Sequence, residues 1–263
     1  MLVTKRLAVI VTLRCTLKCK LCCNCVTMYK NPPMLDKKEI MSDIDSVFAL
    51  YNRIEWFQFV GGEPFLHPNM EDLVKKALEY KSQFQKLVFM TNGTVLPNSE
   101  TIEILKQNKD LIEIQISDYG KLSRKLDELV DVLSKNEIPF VIKMFHGDMQ
   151  HYGGWIDTGD FSDKGERPEE LEEKFQSCWQ NELENLHMYN GKLHNCSRAV
   201  FALDLGLVDI PENEYIDLRS DKYSLEEKRK VAENFNKKVL TACKYCNGFV
   251  SKNTKRYPAA EQL

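Results

Sequence analysis

Apolar residues along the first 145 positions alternate between two rhythms. LAVIVTL (7–13), IEWFQFV (54–60), KLVFM (86–90), LIEIQIS (111–117) and FVIKM (140–144) are short β-rich runs, the first fit for a strand buried on both faces. Between them, apolar residues recur at helical spacing. Ile40, Ile44, Val47, Phe48 and Tyr51 follow a capping-box-like start at Asp36 and Glu39. Leu73, Val74, Ala77 and Leu78, with Phe84, predict the next helix. Ile102, Ile104 and Leu105 predict a short one, and Leu122, Leu126, Leu129, Val130 and Leu133 a further one. Strand followed by helix, repeated about five times with short connections, predicts parallel strands with right-handed crossovers. The pattern alone does not separate a barrel from a doubly wound sheet.

After His146 the rhythm fades. Residues 147–170 are rich in Gly, Asp and Glu, which fits either a linker or a loop covering a substrate. LHMYNGKLHNC (186–196) predicts a hairpin around Asn190-Gly191. Ser224 and Glu227 form a second capping box, and Leu225, Val231, Phe235 and Val239 give the helix after it an apolar stripe. The tail holds Lys252, Lys255 and Arg256. A solvated end is its default reading, and folding back over a site or meeting a substrate phosphate is the alternative.

Composition narrows the function. Of the 263 residues, 43% are hydrophobic and 29% charged, ordinary for a globular chain. A balance of 36 basic against 39 acidic residues argues against nucleic-acid binding by bulk charge. No apolar run is long enough to span a membrane and no signal peptide is evident, so the expected location is the cytoplasm. Nine cysteines in that reducing compartment read as metal ligands or catalytic thiols.

Each unusual short motif directly follows a strand: CTLKCKLCCNC (15–25), GGEP (61–64), TNG (91–93), SDY (117–119) and KMFHG (143–147). That edge is where parallel α/β folds bind ligands. Cys15, Cys19 and Cys22 stand in C-x-x-x-C-x-x-C spacing. Three thiolates on one loop suit an iron–sulfur cubane with one iron left open to a small chelator. Cys23 and Cys25 do not fit the ligand spacing and read as small buried residues or spare thiols.

This spacing after the first strand, with Gly61-Gly62-Glu63-Pro64 after the second, resembles the radical S-adenosylmethionine (radical SAM) enzymes. Leu21 departs from the aromatic residue usual before the third cysteine, which weakens an adenine contact. The resemblance implies a partial (β/α)6-type barrel over residues 1–165, in which the open iron of a 4Fe–4S cluster chelates SAM. One electron then cleaves the sulfonium, and a 5′-deoxyadenosyl radical abstracts hydrogen from substrate. It implies that GGEP meets the methionine amino group, with close backbone approach at the glycines and negative charge from Glu63. Asn92, Ser117 and Asp118 are implied near the methionine carboxylate and ribose.

The late cysteines are Cys178, Cys196, Cys243 and Cys246. Spacing alone is compatible with zinc. The order C, G-x4-C through Gly191, then C-x-x-C resembles the twitch extension, a short relative of the SPASM domain. The arrangement is similar to that of radical SAM dehydrogenases of the 2-deoxy-scyllo-inosamine type. This implies an auxiliary 4Fe–4S cluster in a domain spanning 166–250, with 251–263 as a tail. A fully ligated cluster suits electron transfer. The implied reaction is oxidation of a secondary alcohol on a sugar, cyclitol or aminopolyol, possibly carrier-linked, with an external donor such as flavodoxin or ferredoxin.

Maturation of a ribosomally made peptide is the alternative. The first strand begins near Leu7 and leaves no winged-helix leader-binding module before it, which weighs against that reading. Epimerisation needs a second hydrogen donor, for which only Cys23 and Cys25 are left. Tyr119, Lys143 and His146 are the candidate catalytic groups, with His151 and Arg167 as further candidate bases.

Overall fold

The computed structural model describes residues 1–148, 150–249 and 254–263. The five predicted strands are β1 (Val3–Thr12), β2 (Arg53–Gly61), β3 (Phe84–Thr91), β4 (Ile112–Asp118) and β5 (Phe140–Met144). The helices between them are α1 (Lys37–Leu50), α2 (Met70–Leu78), α3 (Ser99–Gln107) and α4 (Leu126–Lys135). The second part adds α5 (Pro168–Gln176), α6 (Trp179–Glu182), β6 (Asn185–Tyr189), β7 (Lys192–His194), α7 (Ser197–Asp204), β8 (Tyr215–Asp217) and α8 (Leu225–Glu233). All strands join one open sheet in the order β5-β4-β3-β2-β1-β6-β7-β8. Every pair from β5 through β1 to β6 is parallel, and β7 and β8 are antiparallel additions. This is an α/β fold whose mostly parallel, open sheet matches the partial barrel expected.

The sheet has two unlike faces because strand side chains alternate. Leu7, Val9, Phe57, Phe59, Leu87, Phe89, Ile112 and Ile114 point to the helices and form the main core with Ile40, Ile44, Leu73 and Leu129. The inner face carries Arg6, Trp56, Gln58, Glu113, Gln115 and Lys143. Register sets Arg6 beside Trp56 and Ser117 beside Lys143. Apolar side chains there are less covered: Met90 is 38% exposed and Val141 44%.

Capping explains the helix starts. Asp36 accepts from the Lys38 and Glu39 amides, and Ser224 and Glu227 complete a reciprocal capping box. The hairpin turns at Asn190-Gly191, both left-handed, with φ of 46° and 75°. Asp43, buried on α1, accepts from Arg219 Nε at 2.8 Å, Arg219 Nη2 at 2.9 Å and the Gly191 amide at 3.1 Å. One carboxylate thus fastens the hairpin to the first helix.

Four expectations are corrected. Phe84 begins β3 rather than closing α2, since its ring packs with Phe48 and Phe57. Leu122 lies in a tight turn before α4. The last helix stops at Glu233, as Asn236 turns left-handed, so Phe235 and Val239 lie beyond it and Leu225 is exposed. The tail is not a solvated end. Trp155 and Tyr257 pair through both backbone amides, at 2.8 and 2.9 Å. The Lys20 amide donates to the Glu261 carbonyl and that of Leu263 to Lys18. Ala260 is buried against Leu17 and Cys19. Lys252 lies outside the described residues, and Lys255 Nζ sits 4.8 Å over the Tyr257 ring. Part of the Gly- and acid-rich segment is tied down: Ile156 and Phe161 are buried, the Asn247 amide donates to Thr158 and that of Lys164 to Lys244. No helix among the described residues is long and apolar enough to cross a membrane.

Candidate functional site

The cysteine loop and GGEP are laced together by backbone. The Gly62 amide donates to Thr12 at 2.8 Å and the Glu63 amide to Arg14 at 2.9 Å. A Cβ on Gly61 would stand 2.3 Å from the Thr12 carbonyl oxygen, and one on Gly62 2.3 Å from that of Arg14. Only glycine permits this approach. Asn24 Nδ2 closes the loop by donating to the Gly61 carbonyl at 2.6 Å. Pro64 opens a short turn behind it.

Glu63 was expected to offer charge outward, but it is fully buried and turned into the protein. Its oxygens accept from the Phe65 amide (3.2 Å), the Thr91 hydroxyl (2.9 and 3.0 Å) and the Asn92 amide (2.8 Å). Burial raises its pKa to about 7, and these hydrogen bonds pull the other way. Glu63 is therefore the brace between the ends of β2 and β3.

Asn92 accepts from the Thr94 amide (3.0 Å) and hydroxyl (2.5 Å), and its Nδ2 faces Cys15 Sγ at 3.5 Å. Cys19 Sγ receives Gln262 Nε2 from the tail at 3.3 Å. Burial pushes the Cys15 and Cys19 thiols up to about 11, and each feels the neighbouring thiols of its loop. Cys22 is raised by burial too, against three backbone amides.

Ser117 and Asp118 lie at the end of β4. Ser123 Oγ donates to the Ser117 carbonyl, and Asp118 holds the Gly120 amide at 2.8 Å and His146 Nε2 at 2.9 Å. His146 is thus an exposed partner of Asp118 on the rim. Burial holds the Tyr119 hydroxyl well above its ordinary range, and its ring packs on Phe145 and edge-on to Trp155. Burial lowers Lys143, and the charge of Arg6 adds to this. His151 Nε2 is buried without a partner among the described residues, and burial, with the charge of Lys143 adding to it, lowers the ring's pKa. Arg167 is an exposed partner of Glu170 at the start of α5, apart from these groups.

The four late cysteines line one cavity together with Cys23, Lys174, Arg198 and Phe249. Cys178 and Cys196 sit at the N-termini of α6 and α7, and Cys243 and Cys246 on a tight turn after α8. Burial raises the Cys196 thiol, with Cys178, Cys243 and Cys246 adding to it. Among the described residues, no three His, Cys, Asp or Glu side chains stand close enough to hold a single ion.

Sequence reading missed Arg198. It is buried, spans to Gly159 O (3.0 Å) and Tyr245 O (2.9 Å), and lies over the Phe161 ring at 3.4 Å. Its Nε has no partner, and no carboxylate faces it among the described residues. Cys25 and Cys246 feel its charge. A buried cation beside four thiols suits an anionic occupant. Its one sequence signal is an arginine two residues after Cys196. The tail residue Gln262 gave none.

The open, mostly parallel sheet matches a radical SAM partial barrel. Residues 9–133, just under half of the chain, match the profile of the Radical SAM superfamily. Among solved structures, native anSMEcpe with bound AdoMet and Kp18Cys peptide is 14% identical, covering 99% of this chain and 93% of that one with a TM-score of 0.57. BtrN in complex with AdoMet and 2-DOIA is 16% identical, covering 99% and 98% with a TM-score of 0.53. At these identities the likeness is one of fold. Native anSMEcpe with Cp18Cys peptide aligns over 53% of this chain, which spans only 42% of it, at a TM-score of 0.41. Curated protein sequences give no match.

Proposed function

We propose that the chain is a radical SAM oxidoreductase that holds two 4Fe–4S clusters and oxidises a secondary alcohol on a sugar, cyclitol or aminopolyol. Cys15, Cys19 and Cys22 would hold the first cluster, and Cys178, Cys196, Cys243 and Cys246 the auxiliary one. The observation that carries this reading is the division of seven thiols into two sites. Three lie on a loop laced to GGEP, and four line one cavity beside the buried Arg198. Four thiols lining one cavity beside a buried cation that no carboxylate faces among the described residues support an anionic cluster there.

When bound and reduced, the first cluster with SAM supplies an organic radical able to take hydrogen from an unactivated carbon. The protein's own residues do the rest. Gly61 and Gly62, which let the GGEP loop lie against the Thr12 and Arg14 carbonyls, would hold the SAM amino group, and Glu63 fixes that loop to Asn92. Asn92, Ser117 and Asp118 end their strands on the same edge, as groups for the carboxylate and ribose. His151 is the candidate base for the hydroxyl proton: burial and the charge of Lys143 lower its pKa, and its Nε2 has no partner among the described residues. Tyr119, held protonated by burial, and His146, paired with Asp118 on the rim, are poorer candidates.

The two neighbours of matching fold have different molecules bound, a peptide in one and 2-DOIA in the other. The polar inner face around Gln58, Gln115 and Lys143 favours the small polyol. The test is anaerobic incubation of the cluster-loaded protein with SAM, reductant and candidate polyols deuterated at defined carbons. Deuterium in 5′-deoxyadenosine and a two-electron mass loss in the product are expected. Deuterium transfer without mass loss would replace oxidation by epimerisation.

A further inference from the structure

The Cys19 thiol is reached by a line of contacts that begins far from its own loop. Trp155 and Tyr257 form an antiparallel bridge, and so do Cys19 and Gln262. Between the two bridges the backbone turns sharply at Ala260, left-handed with φ of 53° and buried. Residues 257–262 thus run from the segment after β5 to the loop after β1.

Each end of this strap is closely fitted. A Cβ on Gly154 would stand 2.3 Å from the Tyr257 carbonyl oxygen, and the φ of 113° there is open to glycine alone without strain. Gly154 closes the tight turn His151–Gly153, which carries the candidate base. At the other end, the Gln262 carboxamide is committed on both sides. Its Oε1 accepts from the Lys18 amide at 2.8 Å, and its Nε2 donates to the Ala260 carbonyl at 2.6 Å. Those partners fix which end is the NH2, so its second hydrogen faces Cys19 Sγ at 3.3 Å. Leu17, Cys19 and Ala260 complete the contact as a small apolar cluster, against which Cys15, Cys22 and Trp155 pack.

We infer that Gln262 is a positioning residue for the first cluster, acting through Cys19, and that residues 257–262 are the strap that delivers it from an anchor at Gly154. The inference rests on the reading of Cys19 as a ligand of that cluster. Cys15 takes a backbone amide from Leu17, at 3.4 Å, and Cys22 takes amides of its own loop. Cys19 instead takes a side-chain donor 243 positions away. Its place therefore depends on the strap. A change at Gly154, whose near neighbours are Tyr257 and Gln150, is transmitted to it.

The test has two arms on the full chain. In the cofactor-free protein, alkylation of Cys19 by iodoacetamide is followed by peptide mass spectrometry, with the exposed Cys23 as reference. Gln262→Ala should speed it about tenfold, the effect of one lost hydrogen bond on a local opening, and Gly154→Ala at least as much. Glu261→Ala removes only an exposed ion pair to Lys20 and should leave the rate unchanged. In the cluster-loaded protein, Gln262→Ala and Gly154→Ala should each give a fast phase of about four irons per chain released to a chelator, and a lower potential for that cluster by electron paramagnetic resonance. The double variant should do little more than either single one, because both act on one strap. A response to Gln262→Ala with Gly154→Ala silent would overturn the strap, and silence of both would overturn the whole inference. Wild-type protein that cleaves SAM while Cys19 ignores both substitutions sinks the strap alone. Faster alkylation in the variants of a protein that takes up no iron at this loop sinks the cluster reading instead.

Discussion

The substitution Glu63→Gln tests the brace that joins the GGEP loop to β3. The carboxylate is fully buried, and its pKa rises from 4.5 to about 7 because burial outweighs its hydrogen bonds. At about 1.4 kcal/mol per pKa unit, this corresponds to about 3 kcal/mol. A raised folded-state pKa means that the native state holds its proton while the unfolded chain has lost it. The contribution is therefore complete below pH 4.5 and disappears as pH rises through about 7. The glutamine side chain does not titrate, so the variant lacks this component. It also sets an NH2 group against the Asn92 or Phe65 amide, a loss of about 1–3 kcal/mol at all pH values. Urea unfolding of the cofactor-free chain between about pH 4.5 and 8 measures both effects. Relative to the variant, the wild type should lose about 3 kcal/mol across that window, with the offset from the lost hydrogen bond superimposed. Parallel stability curves for the two proteins would refute the reasoning.

Asp43→Asn leaves Arg219 without its buried carboxylate and loosens the Gly191 turn. Urea denaturation should show a loss of about 2–3 kcal/mol, less than for a fully buried pair because Arg219 is one-third exposed. Gln262→Ala removes the amide donated to Cys19 Sγ. A redox titration followed by electron paramagnetic resonance should find the potential of the first cluster lowered, since hydrogen bonds to sulfur raise it. Arg198→Met deletes the buried cation beside the four-cysteine cavity. Iron content should fall by about half, from about eight toward about four per chain, with Arg198→Lys retaining more.

The parallel strands and their helices were legible because each element carries its own period. Ile40, Ile44 and Val47 repeat as a helix, and LAVIVTL reads as a strand buried on both faces. The hairpin was legible because Asn190-Gly191 is a turn that few other pairs make without strain. Phe84 was misread because an apolar residue just past a helical stripe fits either period, and the aromatic cluster with Phe48 and Phe57 decided it. The strand-end loops announced the first site, but their internal wiring was hidden. Nothing in GGEP reveals that Glu63 turns inward to Thr91 and Asn92, 28 and 29 residues away. The tail was opaque for the same reason. TKRYPAAEQL has no periodicity, and its order comes from backbone pairing with Trp155 and with Lys18 and Lys20, contacts that only the folded chain creates.

The account's central claim is that the loop with Cys15, Cys19 and Cys22 leaves a cluster corner open to SAM, while the four late cysteines serve a separate site. The most direct measurement is 5′-deoxyadenosine formed from SAM and dithionite by anaerobically loaded wild type, Cys22→Ala and Cys243→Ala. The prediction is cleavage by wild type and Cys243→Ala and none by Cys22→Ala. Cleavage that survives Cys22→Ala, or that is absent from wild-type protein with its full iron, would contradict it.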